Sequence, residues 1–360
     1  MLAIHTKIYF DNEAVLKYKD EFASCGKKAL IVTGHSSEKN SALNDVKTAL
    51  DSHNISFVIF NEVEENPSIE TVMKGRDFGL RENCDFLIAI GGGSMMDAAK
   101  AIAIMMGEPD KNENFLYDSS NGVLNRAKYE LVAIPTTCGS GAEVTGNAVL
   151  TIHKKKTKGS AVHKTFPKVA LIDGKYILGA PSNLIKRTSL DALAHLIESY
   201  VNSKATLWTR QLAVNGLSLW EKTKKYLIDE VSLDADICNH LMMSSTYAGI
   251  CISHTGTSIP HRLSYRVTYG DKISHGTAVA YFLARFLNEC EEKKEVLKCI
   301  GFNDIKEFSE FIDKIIGDIK VDKDLIEKGV DEILQNEKVL GSVKFKVNRD
   351  ILNKIANLNV

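Results

Sequence analysis

The sequence has neither a cysteine framework nor a long apolar run. Its seven cysteines are scattered and no Cys-x-x-Cys pair occurs, so we expect a reducing, cytoplasmic environment without structural disulfides. No apolar stretch approaches the roughly 20 residues that are needed to span a bilayer. The amino terminus also lacks the charged and apolar segments of a signal peptide, and we expect no membrane association.

Strong net charge and low-complexity sequence are missing as well. The formal net charge is -1 and no sustained basic face is present, which argues against nucleic acid as the main partner. Only six prolines occur, and no flexible linker is obvious. With 360 residues, 44% of them hydrophobic and 25% charged, the chain is long enough for two hydrophobic cores.

The first half of the chain alternates β-rich runs with amphipathic runs. We predict helical stretches at 42–52 and 69–81, and strands at 28–33, 55–60, 85–90 and 130–135. This alternation is typical of βαβ units, which build a parallel sheet and place ligands at the carboxyl ends of its strands.

The pattern becomes helical after about residue 180. We predict helices at 184–202, 208–228, 238–251 and 279–293, followed by a helical tail at 305–358. Gly317 and Gly329 are expected to break that tail. Gly179 and Pro181 interrupt both patterns, so we expect an α/β domain over residues 1–180 and an all-helical domain over residues 181–360.

Four side chains have the chemistry of a metal site. Asp191 and His195 are spaced i, i+4 in a helical run, which puts them on one helix face, one turn apart. His261 and His275 follow in a later segment. Three neutral imidazoles and one carboxylate suit a divalent metal such as iron or zinc, and suit calcium or magnesium poorly. A metal held in this way can act as a Lewis acid.

Three consecutive glycines, Gly91 to Gly93, follow the third predicted strand and precede Ser94 and a helix predicted at 95–106. Glycines let a backbone approach a ligand closely, and a helix amino terminus offers unpaired N–H groups to a phosphate. The fingerprint G-x-G-x-x-G is absent at the strand-to-helix turns, and a tight connection is the alternative. Asp97, expected in the first helical turn, either complements the helix dipole or faces a cofactor.

A second polar loop, Pro135 to Thr145, follows the fourth predicted strand. Its hydroxyls and glycines suit a phosphate or a ribose. It also has the spacing of a capping box, with Ser140 as the N-cap and Glu143 three residues later, and both interpretations can hold at once. Cys138 has no base placed beside it by the sequence, so we do not expect a nucleophile there.

These segments together resemble one family, the iron-containing or group III alcohol dehydrogenases. The resemblance implies an amino-terminal α/β nucleotide-binding domain with a Rossmann-like parallel sheet, an all-α metal-binding domain, a cleft between them and a dehydroquinate synthase-like architecture. It also implies a homodimer. The matching signatures run in order over nearly the whole chain: Gly91–Lys100, Pro135–Thr145, Ser189–Glu198, Gly256–Tyr265 and Ser274–Gly276.

The resemblance also implies roles for individual residues. It assigns the metal, Fe²⁺ or Zn²⁺, to Asp191, His195, His261 and His275. It assigns cofactor contacts to Gly92, Gly93, Ser94, Asp97, Thr136, Thr137, Asn147 and Lys158. Tyr265 stands where some relatives carry an additional histidine, so a proton relay at this position would have to use the tyrosine hydroxyl.

The residues after the first predicted strand bear on the choice of nucleotide. An acidic residue there typically accepts the ribose hydroxyls of NAD, but this chain has Gly34. The glycine leaves room for a 2′-phosphate, with Ser36, Ser37 and Lys39 as donors, and NADP-preferring relatives are similar here. We therefore favour NADP(H) over NAD(H). A helix N-cap at Ser36 or Ser37 is the structural alternative, and Glu38 adds an unfavourable negative charge.

These features predict reversible hydride transfer between a small primary alcohol or diol and its aldehyde, with the substrate oxygen on the metal. One alternative is a zinc-type polyol dehydrogenase or a cyclising synthase of the same fold. A cyclase would need several phosphate-binding basic residues in the helical domain, where Arg262 and Arg266 are available. A more remote alternative is an inactive metal-binding subunit with a structural or regulatory role.

Overall fold

A computed structural model describes residues 2–36, 40–120, 122–155 and 157–358. The chain divides into two compact units. The first, which we call the α/β unit, contains residues 3–137 and 141–179. The second, the helical unit, contains the chain from Ala180 onwards together with Leu2 and the short segment Cys138–Ser140.

A parallel sheet forms the centre of the α/β unit. The strands of this unit are β1 Lys7–Phe10, β2 Lys28–Val32, β3 Ser56–Phe60, β4 Phe86–Gly91, β5 Glu130–Pro135, β6 Val149–Ile152, β7 Thr157–Ser160 and β8 Val169–Ile172. Six of them form the parallel sheet, in the order β1-β8-β5-β4-β2-β3, and β6 and β7 form a separate antiparallel pair. The four predicted strands are confirmed as β2 to β5. The sequence did not reveal β1 and β8, because four residues carry too little pattern.

The sheet has a hydrophobic core on each face. Leu30 and Val32 of β2 enter one core and Ala29 and Ile31 enter the other, because successive side chains of a strand point to opposite faces. The helices of this unit are α1 Ala14–Lys17, α2 Asp20–Ala23, α3 Ser41–Asp51, α4 Ile69–Arg81, α5 Gly93–Gly107 and α6 Lys175–Leu178. A strand buried on both faces is apolar along its buried length, as β2 is from Ala29 to Val32.

Two helix starts differ from the prediction. The N-cap of α3 is Asn40, whose side-chain oxygen accepts the N–H of Ala42 at 2.9 Å. The alternative interpretation of Ser36 as the N-cap is therefore wrong, and Ser37 lies outside the described residues. Helix α5 begins at Gly93 rather than at residue 95, because glycine at the N-cap and first position keeps the backbone free to turn early.

Helix α7 (Ser182–Val201) is the centre of the helical unit. It packs against α8 (Leu207–Glu221), α10 (Ala235–Thr255) and α12 (His275–Asn288). Both tryptophans lie on α8. Trp208 is 65% exposed, whereas Trp220 is buried and donates its indole N–H to the carbonyl of Ser189 on α7. The helices are α7 Ser182–Val201, α8 Leu207–Glu221, α9 Lys224–Leu227, α10 Ala235–Thr255, α11 Ile259–Gly270, α12 His275–Asn288, α13 Lys293–Cys299, α14 Ile305–Ile316, α15 Lys323–Leu334, α16 Glu337–Leu340 and α17 Arg349–Ala356.

The predicted helices are present, with two differences. The run predicted at 208–228 is divided into α8 and α9. Gly317 ends α14 with a φ of 69°, as predicted, but Gly329 lies inside α15. A Cβ at this position would make only an ordinary van der Waals contact with Leu263, at 3.4 Å. In the part of the chain that the structure describes, no helix has the length and apolar character that a membrane crossing requires.

Candidate functional site

Three imidazole rings of the helical unit direct one nitrogen each at the same carboxylate oxygen. The Nε2 atoms of His261, His275 and His195 lie 3.3, 3.7 and 3.9 Å from Oδ1 of Asp191. Asp191, His261 and His275 offer ligand atoms that all lie within 4.8 Å of one another. His195 lies outside this tightest group. The four side chains that the sequence singled out therefore come together in the fold.

Three helices supply these side chains. Asp191 and His195 lie one turn apart on α7, His261 lies in the first turn of α11, and His275 is the first residue of α12. The next residue, Gly276, lies so close to α7 that a Cβ would overlap the backbone carbonyl of Arg187. Only glycine lets α12 start this close to α7, which is where His275 must be to face Asp191.

Hydrogen bonds fix the rings of His195 and His261. The Nδ1 atom of His195 lies 3.4 Å from the carbonyl oxygen of Gly139, and Nδ1 of His261 lies 2.9 Å from a carboxylate oxygen of Glu198. Carbonyl and carboxylate oxygens only accept, so both rings donate through Nδ1. In a neutral ring this leaves the lone pair on Nε2, the nitrogen that faces Asp191.

The third ring, His275, is held in the same way by a hydroxyl. Its Nδ1 atom lies 3.4 Å from Oγ of Ser264. That hydroxyl donates its proton to the backbone carbonyl of His261 at 2.8 Å, so its oxygen accepts from His275. A partner on the second ring nitrogen is the usual arrangement for histidines that bind a metal.

The buried atoms of this cluster test whether a metal ion would fit. Within the described residues, Oδ1 of Asp191 and Nε2 of His261 are buried without a hydrogen-bond partner. Buried polar atoms are normally paired, because an unpaired one costs about 1–3 kcal/mol. A cation between them would satisfy both atoms, and the donor set of one carboxylate and three imidazoles is one that iron and zinc accept.

The charges around Asp191 also favour a cation. Burial acts to raise the pKa of Asp191, but the charges of His195 and His275 outweigh it and hold that pKa well below its usual range. Burial lowers the pKa of His195. It acts in the same direction on His261, but the negative charges of Glu198 and Asp191 outweigh it and raise the pKa of His261 to about 10. Positive charge is thus stabilised beside the carboxylate.

In the α/β unit, several of the residues that the sequence predicts to bind the nucleotide lie just after the ends of neighbouring strands. Strands β2, β4 and β5 are adjacent and parallel, so the loops that begin at Gly34, Gly92 and Thr136 share one edge of the sheet. Gly92 is the N-cap of α5, and no described side chain caps this end. Its first N–H groups are therefore available to an anion. A Cβ on Gly92 would come within 2.9 Å of Oγ1 of Thr137.

Two of the predicted cofactor residues have structural partners. Oγ of Ser94 accepts the N–H of Asn66 at 3.0 Å. Oδ2 of Asp97 accepts the N–H of Val149 at 2.9 Å. Because α5 begins two residues early, Asp97 lies in the second turn, so its predicted placement in the first turn beside the helix dipole is wrong. The carboxylate instead ties α5 to β6.

Lys100 is a buried ion-pair partner of Asp97 that the sequence pattern did not single out. Its ammonium is fully buried and donates to Oδ1 of Asp97 at 3.4 Å, to Oγ1 of Thr145 at 3.1 Å and to the carbonyl of Asn147 at 2.9 Å. Burial lowers the pKa of Lys100 and raises that of Asp97. Lysine three residues after an aspartate was the available signal, but that spacing is equally common on solvated helix faces.

The remaining predicted cofactor residues differ in exposure. The side chain of Asn147 is exposed, whereas Lys158 is only 8% exposed and lies on β7 opposite Thr151. The positive charge of Lys158 acts on the Asp97 carboxylate. Thr136 is half-buried, and its N–H donates to the carbonyl of Gly91.

The capping box predicted at Ser140 and Glu143 is wrong. A three-residue 3₁₀ turn, Ala142–Val144, stands there, and its N-cap is Gly141 with a left-handed φ of 59°. Glycine takes this conformation without strain, and the chain therefore turns at Gly141 rather than at the serine. Cys138 in the same loop is fully buried, and burial raises the pKa of its thiol to about 12.

Gly34 lies against a methionine. A Cβ on Gly34 would come within 2.5 Å of Cε of Met95 and 3.1 Å of the carbonyl oxygen of Val63. Ser36 is exposed in the turn that follows. Ser37 and Lys39 lie outside the described residues, so two of the predicted phosphate donors have no described position.

Tyr265 lies beside the histidine cluster. Its ring centroid is 6.1 Å from that of His275, and the guanidinium of Arg262 lies 5.7 Å from the tyrosine ring. Arg262 and Arg266 both pair with Glu332 on α15, Arg266 through Nε at 2.9 Å and Arg262 through Nη2 at 3.7 Å. The two arginines therefore share one carboxylate.

Comparison with known proteins gives the same family over both units. The sequence-family model described as iron-containing alcohol dehydrogenase matches residues 5–174. A second family model, for the C-terminal part of the Fe-containing alcohol dehydrogenase family, matches residues 185–344. The crystal structure of an iron-containing alcohol dehydrogenase from Thermotoga maritima is 30% identical with a TM-score of 0.89, and the match covers 100% of this chain and 98% of that one.

Two curated relatives illustrate the range of cofactors in the family. The NADPH-dependent butanol dehydrogenase of Clostridium saccharobutylicum is 32% identical over 260 residues, which is 72% of this chain and 66% of that protein. The NAD-dependent methanol dehydrogenase of Bacillus methanolicus is 33% identical over 253 residues, 69% of this chain and 65% of that protein. These alignments cover slightly less than two thirds of each relative. On the family models and the full-length structural match, the chain belongs to the iron-containing alcohol dehydrogenase family.

Proposed function

We propose that this protein is a metal-dependent, NAD(P)-linked alcohol dehydrogenase that interconverts a small primary alcohol or diol and its aldehyde. The observation that carries the proposal is the convergence of three imidazole Nε2 atoms, 3.3 to 3.9 Å away, on one oxygen of Asp191. Membership of the iron-containing family supports Fe²⁺ as the ion, and Zn²⁺ suits the same donors.

The proposed metal ligands are Asp191, His195, His261 and His275. When bound, the ion would supply Lewis-acid polarisation of the substrate oxygen, and the nicotinamide would supply the redox partner. The protein orients the rings through their Nδ1 partners. The side chain of His275 is 27% exposed, whereas those of the other three ligands are at most 9% exposed. The substrate would therefore approach from the side of His275.

The proposed nucleotide site is the edge of the sheet where the loops after β2, β4 and β5 meet. The open N terminus of α5 suits the pyrophosphate, and the lack of a side chain on Gly92 keeps the backbone accessible. We propose that the cofactor contacts come from Gly34, Ser36, Ser37, Gly92, Gly93, Ser94, Asp97, Thr136, Thr137, Asn147 and Lys158.

We further propose that NADP(H) is preferred to NAD(H). Gly34 carries no carboxylate that would repel a 2′-phosphate or bind the ribose hydroxyls of NAD. The ratio of kcat/KM with NADPH to that with NADH tests this directly. A ratio below one would contradict the preference for NADP(H) but would not contradict the proposed dehydrogenase activity.

The paired arginines weigh against a cyclising synthase of the same fold. Such an enzyme needs free cations for a phosphorylated substrate, but Arg262 and Arg266 are both engaged by Glu332. A polyol dehydrogenase differs from our proposal only in the substrate, which a panel of alcohols and aldehydes would distinguish.

The experiment that tests the function uses protein purified without oxygen and loaded with Fe²⁺ or Zn²⁺. We expect one bound metal ion per chain and NADPH-dependent reduction of at least one small aldehyde. His275→Ala should lose both, whereas His153→Ala, which changes an exposed histidine of the α/β unit, should lose neither. Metal-loaded protein that reduces no small aldehyde with either nucleotide would contradict the proposal. It would favour the alternative of an inactive metal-binding subunit.

A further inference from the structure

A second carboxylate lies behind the histidine cluster. Glu198 is fully buried on α7, seven residues after Asp191 and three after His195, so all three lie on one helix face. Burial of an ionised carboxylate is expensive unless hydrogen bonds and charge compensate for it. The sequence pattern alone assigned no role to Glu198.

Three N–H groups surround the Glu198 carboxylate. Oε2 accepts the backbone N–H of Ser258 at 2.6 Å, and Oε1 accepts the backbone N–H of His261 at 3.2 Å. Oε1 also accepts the Nδ1 proton of the His261 ring at 2.9 Å. All three of these hydrogen-bonding partners are donors, so the position favours a group that only accepts.

The same contacts stabilise the start of α11. Ser258 is the N-cap of that helix, and no described side chain of α11 itself caps it. Pro260 has no N–H, and Glu198 satisfies two of the other N–H groups in this first turn from α7. Glu198 thus fixes both the backbone that carries His261 and the rotation of its ring.

The charged partner of Glu198 is a histidine. In the described residues, no lysine or arginine forms an ion pair with it, and its ionic contact is with His261. Glu198 and Asp191 therefore place two negative charges in one buried cluster. A divalent ion among neutral imidazoles would balance both.

We propose that Glu198 is a positioning residue of the metal centre, which holds Nε2 of His261 towards Asp191 and supplies the second buried negative charge that a divalent ion balances. This inference rests on the proposed function, because it takes His261 and Asp191 as metal ligands. Carboxylates that hydrogen-bond to a histidine ligand typically contribute 10–100-fold to metal affinity.

The test compares Glu198→Gln with Glu64→Gln. Each protein is first stripped of metal with a chelator and then reloaded with Zn²⁺. The amide keeps the shape, but its NH₂ group must face at least one of the three donors. Glu64 is a matched control, because its carboxylate also accepts from the N terminus of a helix, at the Ser68 N–H and the Thr71 hydroxyl, but lies in the α/β unit.

Zn²⁺ affinity measured by chelator competition is the readout. We expect E198Q to bind Zn²⁺ about 10–100-fold more weakly than the wild type, and E64Q to bind it within about twofold. Folded E198Q with wild-type affinity would overturn the inference and leave the proposed function intact. Wild-type protein that binds no divalent ion would overturn both.

A second measurement decides the matter even if E198Q does not fold. In zinc-loaded wild-type protein, NMR with ¹⁵N-labelled histidine should show an Nδ1 proton on His261 that exchanges slowly with water, because a buried carboxylate holds it. His153, exposed on the surface, provides the reference for rapid exchange. An Nδ1 proton of His261 that exchanges as fast as that of His153 would overturn the inference.

Discussion

At the scale of single residues, buried charge is the feature that most constrains this protein. Lys100 donates to three partners in the α/β unit, and its contact with Asp97 is an ion pair. A lysine in this position holds α5 to the loop that contains Thr145 and Asn147, next to the proposed nucleotide site. Substitution of Lys100 should therefore lower the free energy of unfolding rather than act directly on the catalysed reaction.

The first prediction concerns Lys100→Met. The variant removes the ion-pair partner of the partly buried Asp97 carboxylate, and we expect the free energy of unfolding to fall by about 3–5 kcal/mol, the range for breaking a buried ion pair. Urea denaturation measures it. Lys74→Met, which changes an exposed lysine of α4, is the control and should stay within about 0.5 kcal/mol. A loss below about 1 kcal/mol in K100M would show that the buried pair contributes little.

The second prediction concerns cofactor choice at Gly34. Aspartate there would supply the missing ribose acceptor, but its Cβ would meet Cε of Met95. We therefore expect Gly34→Asp combined with Met95→Ala to lower the NADPH/NADH ratio of kcat/KM at least about tenfold, equal to about 1.4 kcal/mol. Met95→Ala alone should keep the wild-type ratio. An unchanged ratio in the double variant would mean that Gly34 does not contact the ribose.

Residue chemistry determines how much of the site the sequence reveals. Asp191, His195, His261 and His275 are predictable, because a carboxylate and an imidazole one helical turn apart, followed by two further histidines, are typical of a metal site. Glu198 and Lys100 were not singled out, since glutamate and lysine on a helix usually face solvent and burial cannot be read from their identity. The packing of Met95 on Gly34 is a tertiary contact with no sequence signal at all.

At the scale of the elements, α7 carries most of the proposed metal chemistry. Asp191, His195 and Glu198 share one face of it, and α11 and α12 approach that face with one histidine each. The close approach of α12 depends on a glycine. Long helices with apolar periodicity were predictable. The start of α3 depends on one capping side chain, which several nearby residues could provide, and α5 starts early at glycines without a side-chain cap.

The third prediction tests this approach with Gly276→Ala. The added methyl overlaps a backbone carbonyl of α7, which cannot rotate away, so we expect α12 to shift and stability to fall by about 1–3 kcal/mol. Zn²⁺ affinity should fall with it, because His275 moves. Gly179→Ala is the control, since a Cβ there meets no described atom within 4 Å. Equal Zn²⁺ affinity in G276A and the wild type would contradict the packing argument.

At the scale of the whole molecule, the two compact units should respond differently to metal. An ion that binds only the folded helical unit stabilises it by mass action, by about 2.7 kcal/mol at a free concentration of 100 Kd. The α/β unit holds none of the proposed ligands. Loss of metal should therefore be a local event rather than a global one.

The fourth prediction follows from this difference. After chelation, hydrogen exchange should accelerate in α7 around Asp191, in the first turn of α11 and at the start of α12. The amides of β2 and β4 should keep their protection, because the sheet has its own two cores. Mass spectrometry of the exchanged protein, with and without Zn²⁺, measures both. Equal acceleration in the sheet would contradict local stabilisation.

The positions of the two tryptophans give this protein an intrinsic optical reporter. Trp208 is open to water and its emission can be removed with an aqueous quencher, whereas Trp220 is buried with its indole bonded to Ser189, two residues before Asp191. The fluorescence that survives quenching comes from the layer directly behind the proposed ligands. A titration with metal can therefore be followed at α7 without any label.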